Sequence, residues 1–170
     1  MGRASVRAAI QAYLDPGFSH ITNLGQVFAH PPKVTPEGEF VQGSDPGHST
    51  GAVIYIHLVQ QSEQNVTIGP VGSAFKNRIF HVGLVCVLRY KGNDSQVAGA
   101  ENDAFLDSLV EWIEADRTAN SQGAIFQWGE GDRSGQFDID VKAGMPKTIR
   151  QQTSQVFSTV DIMALELFQD

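Results

Sequence analysis

The sequence is short of the residues that most often announce a site. It has one cysteine, Cys86, which can form neither an internal disulfide nor a multi-cysteine zinc site. Inside the apolar run HVGLVCVLRY that thiol reads as buried and structural. Basic residues are also few: twelve Lys and Arg against nineteen Asp and Glu give a net charge of −7. That balance argues against a protein that holds nucleic acid by neutralising phosphates, which needs a basic face. It leaves room for one that stands near DNA without gripping it. No apolar run approaches the ~20 residues of a membrane-spanning helix, so no membrane partner is expected. Internal repeats, low-complexity tracts and linkers are missing too. The opening MGRASVRAAIQAYL has no seven-residue apolar stretch after its arginines and no small-residue cleavage site, so no secretory signal is expected and the sequons at Asn65 and Asn93 carry no weight.

Enough remains for a packed fold. The chain has 170 residues, 41% hydrophobic and 18% charged, which suits one domain with one core. A chain of this size buries about 68–70% of the surface its unfolded form exposes, without help from metal or disulfide. Residues 3–14 put Val6, Ile10, Tyr13 and Leu14 on one helical face and Arg3, Arg7 and Gln11 on the other, and Pro16-Gly17 stops the helix. GQVFA at 25–29 reads as a brief strand cut by Pro31-Pro32, hence an edge strand or one that ends there. Ala52–Val59 alternates, with Val53, Tyr55, His57 and Val59 on one face and Ile54, Ile56 and Leu58 on the other. Residues 60–77 resemble a long hairpin arm carrying Ile68, Val71 and Phe75. Arg78–Tyr90 is the longest strand signal, with Phe80, Val82, Leu84, Cys86 and Leu88 on one face, and it reads as the central strand of a sheet.

After the turn KGNDS, a helix over about 97–117 is expected. Phe105, Leu109, Trp112 and Ile113 form its buried stripe, widened by Leu106 and Val110. Strands at 123–128, 136–141 and 156–168 complete the order. The fold expected is α+β: a mainly antiparallel sheet flanked by an N-terminal helix and one long acidic helix, with a long hairpin arm.

One stretch spells a catalytic pattern. Residues 47–51 read GHSTG, a literal G-x-S-x-G. The nucleophile elbow needs a strand before the serine and a helix immediately after it. Here a Pro/Gly loop precedes Ser49 and a strand follows. Only His57 and His81 lie downstream, with Glu63 the sole carboxylate between Ser49 and His81. GHSTG therefore reads as a turn entering a strand. The five histidines have no H-x-x-x-H or H-E-x-x-H spacing; His57 and His81, facing each other on paired strands, are the one two-ligand arrangement available, and two ordinary sheet histidines are the simpler reading. GEGDRSG at 129–135 lacks calcium-loop spacing, and no phosphate-binding or dinucleotide glycine motif occurs. No catalytic residue, cofactor or metal is expected.

The charge pattern is less bland. Six of nineteen acids lie within 101–116, including Asp107, Glu111 and Glu114, and four of twelve basic residues lie within 133–150: Arg133, Lys142, Lys147 and Arg150. Two solvated faces explain this, but a head-to-tail ring also needs two different complementary patches per subunit.

The order of elements, with VRAAIQAYL, GQVFAHPPK, RIFHVGLVCVLRY, AFLDSLVEWIEADR and TIRQQTSQVFSTVDIMALELF, resembles the tail terminator (tail-completion) proteins of long-tailed bacteriophages and small minor tail proteins close to them. The resemblance runs over nearly the whole chain, as an order of elements and loose strings. It implies a homo-oligomeric ring, a hexamer, that caps the tail tube, meets the tube protein and the head–tail connector, and lets DNA pass without specific binding. It implies residence at the head-proximal end of the virion tail, and in host cytoplasm during assembly. Stopper, adaptor and tube proteins answer to the same description; a small hydrolase using Ser49 or a His57/His81 metal site is the alternative from another class. If GHSTG is only a turn, Ser49→Ala has no effect on hydrolysis of an activated ester. A clear wild-type rate abolished by the substitution would overturn that reading.

Overall fold

A computed structural model describes residues 2–33, 51–65, 75–115, 126–128, 139–150 and 153–169. In chain order they form α1 (Arg3–Leu14), a short 3-10 helix (Asp15–Ser19), β1 (Leu24–Phe28), β2 (Gly51–Asn65) and β3 (Phe75–Lys91). Then come α2 (Ser95–Ala115), β4 (Phe126–Trp128), β5 (Ile139–Lys142), β6 (Lys147–Arg150) and β7 (Thr153–Gln169). The described residues make an α+β fold with one sheet and two α-helices. The sheet runs β1-β2-β3-β7, and β4, β5 and β6 each pair with β7.

Three strands dominate: β2 has 15 residues, β3 and β7 have 17 each, against a usual five or six. At about 3.3 Å per residue they reach ~50 Å or more. β3 is central, as its alternation predicts. It pairs antiparallel with β2 from Gly51↔Arg89 to Asn65↔Lys76 and with β7 from Phe75↔Gln169 to Lys91↔Thr153. β1 is parallel to β2 and stops at Phe28, opposite Tyr55, where the Pro31-Pro32 pair denies the ladder its donors.

Register puts the apolar sets together. Ala52, Ile54, Ile56 and Leu58 of β2 join Phe80, Val82, Leu84, Cys86 and Leu88 of β3 and Val156, Val160, Ile162 and Ala164 of β7 in one buried cluster. Val6, Ile10, Tyr13 and Leu14 of α1 and Phe105, Leu106, Leu109 and Ile113 of α2 belong to the same cluster, with Trp112 packed against it. Burial pushes the Cys86 thiol well above its usual range, so it stays neutral. Asp94 caps α2: its carboxylate accepts from the amides of Gln96 (2.9 Å) and Val97 (3.3 Å), satisfying two of the donors a helix start leaves open. One polar contact crosses the core, where the buried Asn102 amide donates to Ser158 Oγ at 3.1 Å and ties α2 to β7.

Several expected boundaries shift, the start of α2 to Ser95 and of β7 to Thr153 among them. Residues 60–65 and 75–77 of the expected hairpin arm extend the paired strands β2 and β3, and Phe75 is the first residue of β3. Cross-strand pairing needs no apolar content, and QQSEQN therefore hides from a hydrophobic pattern. The strand expected at 136–141 is described at Ile139–Lys142. KTIR at 147–150 forms β6, which the sequence reading missed; four residues are too few for alternation to register, and they pair because they lead straight into β7. Leu109 is fully buried, and Leu109→Ala should cost on the order of 2–5 kcal/mol. An unchanged urea midpoint would mean that α2 does not use this stripe.

Candidate assembly surface

The sheet has a second face, opposite the buried cluster. On it the ladder aligns His57 with Gly83, Gly83 with Asp161, and Asp161 with Asp140 across four strands. The next row joins Gln60, His81 and Met163. A register shift between Leu58 and Gln60 inserts Val59 as an extra residue, and Val59 stands 59% exposed. Val59, His81, Asp140, Asp161 and Met163 line a shallow groove of about 300 Å³. Gly83 lies beside it: a Cβ there would meet Asp161 Oδ1 at 3.2 Å, so the missing side chain gives Asp161 its room.

Lys142 neutralises much of this acidity, with Nζ 3.2 Å from Asp161 and 3.4 Å from Asp140. Its ammonium is held above its usual range, first by the hydrogen bond to Asp161 and then by that to Asp140. The pair is exposed, so it orients more than it stabilises. Along the same face Phe157 is 46% exposed. Phe157 lies in the row of Val53 and Val87, where its neighbours Val53, Val87, Arg89 and Gln155 are all buried.

Sequence-picked residues scatter over this frame. His57 and His81 share the face but do not oppose each other; His57 faces Gly83, and His81 faces Gln60. The register therefore does not set the two histidines directly opposite, the arrangement weighed against two ordinary sheet histidines. Asp107, Glu111 and Glu114 are exposed on α2 and Lys147 is exposed on β6. Lys142, expected in a basic patch, is instead held by two carboxylates of its own chain. Arg150 ends β6. Ile68, Val71, Arg133 and Ser49 lie outside the described residues. The sequence reading did not single out Asp140, Asp161, Gly83 or Phe157. Period-2 alternation around Val160 and Ile162 would have placed Phe157, Asp161 and Met163 on one face.

Two further features frame the surface. Residues 143–146 link β5 to β6 as a strap over β7, where the Gly144 amide donates to Ser158 Oγ at 3.1 Å and Met145 stands 87% exposed. A Cβ on Gly144 would fall 1.6 Å from the Phe157 carbonyl oxygen. At the other margin polar side chains of α1 reach main chain. Arg7 donates to the carbonyls of Ala29 and Ile56, Arg3 to that of Leu58, and Gln11 to that of Val27.

No protein-family description matches the chain, and a search of curated proteins returns no match.

Because backbone lies directly above it, Gly144→Ala should lower the urea-derived stability by about 1–3 kcal/mol, the usual cost of overpacking. Met145→Ser, on the exposed neighbour, should leave it unchanged. Equal midpoints for wild type and Gly144→Ala would show that the strap is not held against β7.

Proposed function

We propose that this chain is a structural assembly protein of a long-tailed bacteriophage virion, a subunit of a ring that completes the tail at its head-proximal end. The observation that supports the reading best is exposed apolar surface on the second sheet face. Phe157 on β7 and Val59 at the bulge of β2 are 46% and 59% exposed on long strands, and an apolar side chain on a firm backbone suits a protein–protein contact. The finer architecture of the reading is a sheet flanked by the N-terminal helix and the acidic helix, with the β2–β3 hairpin reaching a neighbour. Ile68, Val71 and Phe75 are its proposed contact residues.

In this reading subunits meet by heterologous contacts, six to a ring. The tube protein and the head–tail connector are the other partners. Asp107, Glu111 and Glu114 face basic residues of the next subunit, among Arg133, Lys142, Lys147 and Arg150, with Lys142 already shared with Asp140 and Asp161. Such exposed contacts weaken with salt over a screening length of about 8 Å at physiological ionic strength. The net charge of −7 suits a passage through which DNA slides without adhering. The protein carries no catalysis in this account.

The test is completion of tails in vitro. Purified wild-type protein added to tubes that lack a terminator should yield tails that join heads. Phe157→Asp, with an unchanged circular dichroism spectrum, should reduce joining at least tenfold. Wild-type protein that neither binds tube ends nor supports joining at any concentration would contradict the proposal.

A further inference from the structure

The β2 edge carries an inference that does not depend on the tail reading. β1 covers that edge only as far as Tyr55, while β2 continues from Ile56 to Asn65 with β3 on its other side. Beyond Phe28 no described strand lies along it. An uncovered edge offers a row of main-chain donors and acceptors to any strand that arrives, and proteins normally blunt it with lysine, proline or a bulge. The segment IHLVQQSEQN has neither lysine nor proline. Its one acid, Glu63, is already bonded to Arg78 at 2.8 Å. Its bulge, at Val59, lies at one end of the polar run.

The blunting comes from α1. Arg7 donates to Ile56 O and, at 2.9 Å, to Ala29 O, and Arg3 donates to Leu58 O. Those are the first carbonyls past the end of β1. Val6 and Ile10 are fully buried and anchor the helix, so the arginines are held in place by packing and not by their own bonds. A guanidinium presents several donors in a planar fork and can bridge two carbonyls, which an ammonium does poorly.

We infer that Arg3 and Arg7 are edge blockers, which occupy the outward carbonyls of β2 and prevent a second copy of this chain from pairing there through its own β2. The second copy is the fitting occupant because the edge is self-complementary. Antiparallel pairing of 57–65 with itself, centred on Gln61, sets Gln61 against Gln61 and Gln60 against Ser62, takes in the Leu58 carbonyl that Arg3 holds, and leaves each Glu63 bonded to Arg78. Such a contact is isologous, so it doubles the mass of the wild-type species and stops.

The double variant Arg3→Ala/Arg7→Ala is compared with wild type by light scattering after size exclusion, over a hundredfold range of concentration. A species of twice the wild-type mass should appear at concentrations at least tenfold below any at which wild type forms it. Adding Gln61→Lys to the double variant places like charges on the symmetric edge and should restore the wild-type mass. Should the double variant fail to fold, Arg3→Ala alone gives the reading, since Arg3 is the exposed first residue of α1; a smaller shift in the same direction is expected. Masses identical to wild type, or a doubled species that persists with Gln61→Lys, would overturn the inference.

Discussion

Everything in this fold hangs on the double pairing of β3. It is bonded along its whole length by β2 on one side and β7 on the other, and its side-chain period of two then has a fixed consequence. One set, from Phe80 to Leu88, is committed to the core. The other set, with Ile79, His81, Gly83 and Val85, is committed to the second face. A slip of one residue would exchange the sets and expel Leu84 and Cys86 into water. The helices, the groove and the exposed apolar residues all inherit their positions from that register.

The two faces differ in what balances their cost. On the core face, among the described residues, apolar burial dominates; the polar intrusion of Asn102 with Ser158 is closed by hydrogen bonds on both sides and by the Gly144 amide, and the buried Ser154 donates to the Gly92 carbonyl. On the second face charge is matched locally, Lys142 against Asp140 and Asp161. Along the strands Phe157, 46% exposed, and Val59, 59% exposed, flank that ionic cluster on either side. Matched charge beside exposed apolar surface is a composition that partners can bury without stranding an unpaired ion.

Legibility in the sequence followed local period. α1, the central place of β3 and the buried stripe of α2 were readable, because three to six apolar residues at fixed spacing leave few alternatives. The ends of β2 and β3 were not, because Gln60–Asn65 pair through main chain and show no apolar pattern. β6 was too short to register. The candidate surface was the least legible part. His57 and His81 were singled out by residue type, yet what places them is the inserted Val59 and the absent side chain at Gly83, and neither has a signature outside the three-dimensional ladder. Arg3 and Arg7 read as a solvent face, as polar positions on an amphipathic helix do; their bonds to Ile56, Leu58 and Ala29 depend on where β1 ends.

The central proposal is that the second sheet face, at Phe157 and around the groove with Met163, is where this chain meets its assembly partners. Hydroxyl-radical footprinting of the protein, free and then joined to tail tubes, tests it residue by residue. The account predicts that Phe157 and Met163 lose most of their reactivity on joining, while the exposed Val97 at the start of α2 keeps its own. Phe157 and Met163 reacting equally in both states would contradict it.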